Sequence, residues 1–487
     1  MLKKNFISFL GLIIGLTFFF LFLITNPPEG LNKVAWITAG VTVTMTIWWI
    51  SEAIPIYATG LFPLISFPLL GLYDLKIIAN SYAHPLVLLF LGGFIIAAAM
   101  ESSGLHKRIA LKILAFSGTS PSKIIAGFMF TTAILSMWVS NTASTIMMLP
   151  IAISVITIFT SKSEIENKQF AIPLLLSIAY SASIGGTATL IGTPTNIMLA
   201  SILSDNYNYQ IGFIDWLMIG LPVALVLTPI VWFFLSKIIF KVPIKNSGAL
   251  EKTISKLSKE IGKASFTEKT VASIFFITAT FWIFRRTINE HLNTNFNDTS
   301  IGLLGALLLF IIPTGKNKRA CDWETANKIP WGVLFLVGGG IALSRAFQSS
   351  GLAEWIGSFS SYFFGLNIYL LIFISVAIVI FLTELNSNTA TVATFTPILI
   401  VFAIGLEVNP LFFVIPTTIA ASCAFMLPIA TPPNAVVFGS GKIDIQQMIK
   451  TGIGLNIISI LTVTTLSIII LSFLLNMDIS NLPEWFS

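Results

Sequence analysis

Two short polar runs hold the residues that could do chemistry, Ser140-Asn141-Thr142 and Ser387-Asn388-Thr389, with a further hydroxyl four residues before each serine, at Ser136 and Thr383. Hydroxyls and amides can donate hydrogen bonds to carboxylate or sulfate oxygens, and their own oxygens suit a hard cation such as Na+. None of these side chains carries a fixed charge. No Lys or Arg lies within a dozen residues of either triplet. A site built this way needs a mobile countercharge to hold an anion tightly and still release it. Co-binding of cation and anion is then coupling in its simplest form.

The two asparagines stand 247 positions apart (388 − 141). Each triplet lies in a long apolar run, 133–159 and 370–402, which places it at bilayer depth. A polar triplet there is costly unless it faces partners, a cavity or a ligand. Ser, Thr and Asn in paired helices often act only as interhelical glue. Duplication, central placement and two neighbouring helix breaks favour a ligand site.

Composition sets the environment. With 55% hydrophobic and 10% charged residues and a mean hydropathy of +0.90, the 487-residue chain is not a soluble globular protein; soluble domains run near ~25% charged. Several apolar runs reach the ~20 residues that a membrane helix needs, and no period-2 strand pattern indicates a barrel. The expected fold class is an all-α polytopic membrane protein. The charged start and the apolar run 6–25 resemble a signal peptide, but the run is long and lacks a cleavage site, so it reads as a retained span. Cys321 and Cys423 imply neither a disulfide framework nor a metal cluster. Of the 27 Lys and Arg, all but Lys33, Lys76, Arg285, Arg286 and Arg345 fall on the cytoplasmic side of the topology below. That is the positive-inside bias, so the net charge of +6 reports orientation and no nucleic-acid partner.

Spans are expected near 6–25, 34–54, 58–73 and 84–103. The run 122–160 is far too long for one crossing and has a triplet near its centre, so it reads as a re-entrant hairpin with its tip at Asn141. The span 170–200 is interrupted at Gly185-Gly186 and at Gly192-Thr193-Pro194-Thr195-Asn196. Gly and Pro grouped in mid-span mark a broken helix. A span at 213–236 completes the first half, and 237–269 reads as a solvated cytoplasmic connector with some amphipathic helix. The second half repeats the plan: spans near 270–284 and 299–313, a hairpin at 365–405, a broken helix at 410–438 interrupted at Ala430-Thr431-Pro432-Pro433-Asn434, and a last span at 451–476. The expected domains are 1–33, 34–236, 237–269 and 270–487. About eleven crossings plus two hairpins put the N-terminus in the cytoplasm and the C-terminus outside. An odd number of crossings separates the copies, which makes the halves an inverted repeat.

A helix that starts in mid-membrane presents unpaired N–H groups and about half a positive charge. Ser and Asn are good N-cap residues, and Pro194 and Pro432 suit the first turn of a new helix. Four such starts, nominally about +2 before screening, match a small dianion. An intramembrane hydrolase would need a base near the serines, yet His84, His106 and His291 fall at span ends or in loops. An anion channel would need a continuous pore, whereas paired hairpins and breaks build an occluded site. Among buried charges, Glu52 and Glu101 read as structural and Arg345 as an ion-pair partner. Glu384 is balanced between proton carrier and structural partner.

At these residues the chain resembles the divalent anion/sodium symporter family, the INDY-type dicarboxylate carriers. The resemblance covers nearly the whole chain. It runs through Ser51-Glu52-Ala53-Ile54-Pro55, Leu89-Phe90-Leu91-Gly92-Gly93-Phe94 and Gly104-Leu105-His106-Lys107-Arg108. It continues through Ser136-Met137-Trp138-Val139-Ser140-Asn141-Thr142, Ser387-Asn388-Thr389, and Ala421-Ser422 through Phe425, Pro428 and Asn434 to Val437. It implies a homodimer with a scaffold and an elevator-type transport domain, in a bacterial plasma membrane. It implies substrate held by both triplets with Thr431 and Pro432. It also implies sodium beside each triplet, at Ser136, Ser140, Asn141 and Gly192 in one half and at Thr383, Asn386, Asn388 and Ala430 in the other. Thr195 departs from the family, which has a second Pro there. Members carry succinate-like dicarboxylates, citrate or sulfate, and some exchange anions without sodium. The lack of basic residues near the triplets favours Na+-driven import of a C4-dicarboxylate.

Overall fold

The computed structural model describes residues 2–117, 120–158, 164–242, 249–315, 318–483 and 485. Expectations that touch 118–119, the hairpin end at 159–160, the lysines at 162, 245 and 316, and connector residues 243–248 lie outside them. The chain opens with α1 (Leu2–Ile24) and α2 (Lys33–Ser51), then the short α3 (Ile56–Thr59), α4 (Phe62–Leu69) and α5 (Leu75–Tyr82). There follow α6 (Pro85–Ser102), α7 (Leu105–Ala115), α8 (Pro121–Ser136), α9 (Asn141–Ile158), α10 (Glu164–Gly186), α11 (Pro194–Tyr207) and α12 (Phe213–Phe233). The middle holds α13 (Ala249–Ile261), α14 (Phe266–Leu292) and α15 (Asp298–Ile311), then a two-strand antiparallel pair, Pro313–Gly315 with Lys318–Arg319. The rest is α16 (Trp323–Ala326), α17 (Trp331–Ser349), α18 (Leu352–Ser358), α19 (Ile368–Thr383), α20 (Asn388–Gly405), α21 (Leu411–Ala421), α22 (Pro432–Phe438) and α23 (Ile445–Ile469).

Among the described residues, nine helices are long and apolar enough to cross a bilayer. The halves repeat in detail. A glycine in the left-handed region starts the short helix after α6 and after α17, Gly104 (φ 80°) and Gly351 (φ 83°). A π-helical turn ends α12 (Phe234–Ile239) and α23 (Ile470–Leu474). Each long apolar run is split at its triplet, α8 from α9 and α19 from α20. The first arm of each hairpin has 16 residues, or about 24 Å of helix, short of a ~30 Å hydrocarbon core.

Three stretches differ from expectation. The span at 58–73 is two short helices, α3 and α4, because Gly60 packs on the backbone of α17, where a Cβ would lie 2.9 Å from the Phe335 carbonyl oxygen. The span at 270–284 runs on through a kink at Phe284 to Leu292. That extension brings Arg285 to Asp298 (3.0 Å) and Arg286 to Asp215 (2.6 Å). The connector is less solvated than composition indicates: α13 packs on α7 and α9, with Thr253 buried and Ile254, Leu257 and Ile261 against the core. Arg108 of α7 clamps Glu268 at 2.8 and 3.1 Å, and Glu268 caps α14 through the Ser265 N–H.

At the centre stands α10, packed on both arms of the first hairpin, on α12 and on α22 of the other half. In turn α11 packs on α17, α20 and α21. Each helix break is thus seated on elements of the opposite half. Elsewhere α6 and α15 approach through paired glycines, where a Cβ on Gly92 would lie 2.8 Å from the Gly302 carbonyl carbon. Gly92→Val should therefore lower the unfolding midpoint in detergent by ~1–3 °C, since overpacking of this kind typically costs ~1–3 kcal/mol. An unchanged midpoint in a thermal-shift assay would mean the two helices separate freely.

Candidate substrate and cation site

The two hairpin tips share one local geometry. In the first, Ser136 Oγ donates to Asn141 Oδ1 at 2.6 Å; in the second, Thr383 Oγ1 donates to Asn388 Oδ1 at 2.7 Å. In each case the last hydroxyl of the incoming arm binds the first amide of the outgoing arm. Ser136 and Thr383 are fully buried, while Asn141 and Asn388 are half-buried.

Neighbouring backbone completes each tip. The Asn141 amide lies directly on Gly186, leaving no room for a Cβ there, and Gly192 is packed in the same way on the Gly186 carbonyl. Thr189 Oγ1 donates to the Met137 carbonyl, which ties the first break to the first tip. In the second half Thr383 Oγ1 also reaches the Ala421 carbonyl oxygen at 2.8 Å. One hydroxyl proton then serves two acceptors, and three uncharged oxygens crowd around it. Such an oxygen surplus is what a hard cation takes as ligands. No group of three His, Cys, Asp or Glu exists among the described residues, so an ion held here would meet neutral oxygens.

The breaks are sealed by two asparagines in matched positions. Asn196 Nδ2 donates to the carbonyls of Gly186 (3.1 Å) and Thr189 (2.7 Å), and Asn434 Nδ2 to those of Ala424 (3.0 Å) and Leu427 (3.1 Å). Tyr180 Oη donates to the Phe425 carbonyl at 2.9 Å, and Thr195 Oγ1 lies 3.1 Å from Ser422 Oγ, so the two breaks are bonded to each other. Glu384 settles as a brace. Its Oε1 accepts from the N–H groups of Phe425 (2.7 Å) and Met426 (2.9 Å) and from Asn456 Nδ2 (2.8 Å), and its Oε2 from the Leu427 N–H (3.0 Å). Arg345 pairs with Asp205 and stands apart from both triplets.

The four helix starts are unequal. Ser140 Oγ caps the Ala143 N–H at 3.2 Å, which leaves the N–H groups of Asn141 and Thr142 without a partner in the protein. Ser387 makes no side-chain cap, so Asn388, Thr389 and Ala390 all present free N–H groups. At α11 only the Thr195 N–H remains free, because Pro194 has none and the Asn196 N–H meets the Thr193 carbonyl. At α22 none remains: Pro432 and Pro433 lack N–H groups and Thr431 Oγ1 accepts from Asn434 N at 3.3 Å. The expectation of four equivalent half-charges therefore gives way to donors concentrated at the two triplets.

The other expected site residues belong to the two tips and to the second break. Thr142 lies at the first tip, and Ser387 and Thr389 at the second. Ala430 and Thr431 are buried in the second break, with Pro432 exposed. Asn386 Oδ1 is occupied by the Ser387 N–H at 2.8 Å, and no hydrogen bond joins Asn386 or Ala430 to Asn388. Sequence reasoning missed the Ala421 carbonyl, Gly186 and the two sealing asparagines. Only the asparagines left a signal, at the third position of both half-helices. Replacing Glu384 with Ala should speed hydrogen exchange of the 425–427 amides at least ~10-fold, because each unmet buried donor costs about 1–3 kcal/mol. Unchanged protection there, measured against α6 as an internal control, would remove Glu384 as the brace.

The sodium:sulfate symporter transmembrane region, as a family model, matches residues 6–476. The sodium-dependent dicarboxylate transporter SdcS of Staphylococcus saprophyticus is 38% identical over 480 residues, covering 96% of this chain and 92% of that protein. SdcS of Staphylococcus aureus (strain USA300) is 38% identical over 481 residues, with 97% and 92% covered. Two solved structures share the fold at low identity. MtrF of Neisseria gonorrhoeae superposes with a TM-score of 0.59 at 14% identity, over 91% of this chain and 95% of that one. The YdaH transporter of Alcanivorax borkumensis gives 0.55 at 11%, over 89% and 98%. The chain therefore belongs to the sodium:sulfate symporter family, the divalent anion/sodium symporters that its motifs resemble, a family of sodium-coupled membrane transporters and not of enzymes.

Proposed function

We propose that this protein imports a small dianion, a C4-dicarboxylate such as succinate, malate or fumarate, by Na+ symport across a bacterial plasma membrane. The observation that carries the reading is the repeated hydroxyl-to-amide pair, Ser136 with Asn141 and Thr383 with Asn388, beside clusters of free N–H groups. Substrate is held by Ser140, Asn141, Thr142, Ser387, Asn388 and Thr389, with Thr431 and Pro432 at the second break. Sodium binds at Ser136, Ser140, Asn141 and Gly192 and at Thr383, Asn386, Asn388 and Ala430; the crowded oxygens around Thr383 support adding the Ala421 carbonyl.

Sodium bound behind each asparagine amide would free the hydroxyl from its bond to Oδ1 and turn both oxygens toward the metal. The dianion then finds N–H donors and nearby positive charge in place of a bare apolar cleft, and each solute lowers the cost of the other. The elements support reading 34–236 and 270–487 as inverted repeats, with 1–33 as an N-terminal span and 237–269 as the connector. The N-terminus is then cytoplasmic and the C-terminus outside. Transport follows an elevator motion of the site against a scaffold within a homodimer. Sulfate is the second reading, favoured by the description of the family. Donors divided between two tips suit two separated carboxylates better than one compact tetrahedral anion.

Proteoliposomes with inward gradients of Na+, K+ or H+ test the coupling: labelled succinate should accumulate at least ~10-fold more with Na+, and equal uptake in all three would remove the sodium claim. An excess of unlabelled sulfate that competes better than malate would reassign the substrate. Asn141→Ala and Asn388→Ala should each abolish uptake in a protein that elutes and melts like wild type; normal uptake in either variant removes that residue from the site. Na+ in place of K+ should also raise the unfolding midpoint by mass action, and Thr383→Ala should need at least ~10-fold more Na+ for the same rise. A Na+ response unaltered by Thr383→Ala would place the ion elsewhere.

A further inference from the structure

A cavity of about 370 Å³ lies between α8, α10 and α12, and no residue of either triplet lines it. Its walls include Met129, Phe130 and Ala133 of α8, Gly185 of α10, and Leu225 and Trp232 of α12. Thr228 is its one hydroxyl-bearing lining residue. Phe130 and Leu225 are 51% and 54% exposed, so the cavity opens sideways. With its turn of π-helix, α12 is among the membrane-length helices, and the opening therefore faces acyl chains. Small residues create the space: Gly185 sits directly on the Ala133 backbone, and Ala133 and Ala224 leave the floor shallow.

One end of the cavity is basic. Trp232 Nε1 donates to the Ser122 carbonyl at 2.8 Å and joins α12 to α8 there. Lys123 follows Ser122 and lies one helical turn before the lining residue Ala126. On the other wall Lys237 lies five residues beyond Trp232, within the π-helical turn that starts at Phe234, and so stands at the same end of α12. Both lysines are exposed and neither is in an ion pair among the described residues. An apolar crevice facing the bilayer, with an exposed lysine on each of two walls at its Ser122–Trp232 end, complements a phospholipid with an anionic head group.

We infer that this crevice binds an anionic phospholipid, with an acyl chain in the shaft and the phosphate between Lys123 and Lys237. The chain gains packing contacts rather than escape from water, since it is surrounded by hydrocarbon in either place. Preference among lipids therefore comes from the head group.

The full chain in phosphatidylcholine vesicles is titrated with phosphatidylglycerol carrying brominated chains, and the quenching assigned to Trp232 is the difference between wild type and Trp232→Phe. Because that variant also loses the bond to Ser122, Phe130→Trp provides a second reporter at the rim. Quenching should saturate at a low mole fraction, and brominated phosphatidylcholine should need at least ~10-fold more to match it. Ala224→Phe should fill the shaft and remove the saturable part, while Lys123→Gln with Lys237→Gln should erase the head-group preference. Quenching that rises linearly with mole fraction, equal potency of the two lipids, or titrations unchanged by either set of variants would overturn the site.

Discussion

A helix interrupted inside a bilayer must find partners for the backbone groups it frees, because no water is there to take them. That constraint governs the centre of this protein. The interruption 187–193 is met by Asn196 from below and by the Trp216 indole at the Thr187 carbonyl. The interruption 422–431 is met by Asn434, by Tyr180 from the other half, and by the Glu384 carboxylate, which takes three successive N–H groups. Three donors in a row form a concave anion site, here filled by a side chain of the protein itself. Within the first turns of the four half-helices, the N–H groups left unmet are those of the triplets and of Thr195.

The same constraint explains why the site carries no Lys or Arg. A guanidinium beside Asn141 or Asn388 would hold a dianion without help and release it slowly. On the proposed reading, neutral donors give a weak site by themselves, and a cation decides when it becomes strong. Four of the five arginines are neutralised instead by local acids: Arg285 by Asp298, Arg286 by Asp215, Arg345 by Asp205 and Arg108 by Glu268. Each such pair is neutral, so the net charge of +6 comes from the remaining basic residues, mostly lysines, none of which lies within a dozen residues of a triplet.

Much of this was legible in sequence because a bilayer is a strict solvent. A polar triplet or a Gly-Pro cluster in an apolar run has few permitted explanations, so both chain splits at the triplets and the first break fall where expected, whereas the second break opens at Ser422, eight residues before Ala430. Backbone partners were not legible. The Ala421 carbonyl and Gly186 enter the site through geometry alone, and a side-chain pattern cannot point to them. The division of 58–73 escaped for a related reason: its hydropathy is that of a span, and the close approach of Gly60 to α17 leaves no mark in composition. The amphipathic face of α13 was visible, but whether it met lipid, water or α7 was not. The unequal helix starts were readable in principle, since Pro432-Pro433 against Pro194-Thr195 already determines which break retains an N–H.

That inequality bears on the transport cycle. Two halves that repeat one plan would, if identical, give two end states of equal energy. Here the repeat is imperfect in specific places. The donors are three at α20, two at α9, one at α11 and none at α22, counted from the caps and prolines of each start. A contact on one side adds to this: at the end of α11, Asp205 binds Arg345, Asn206 Nδ2 binds Ser344 Oγ at 2.7 Å, and Tyr207 Oη binds Gln348 at 3.0 Å. In α6 the positions matching Ser344 and Arg345 are Ala97 and Ala98, which can form no such bonds. On the proposed elevator, motion of α11 past α17 must break this set, which the matching alanines of α6 cannot supply in the other half.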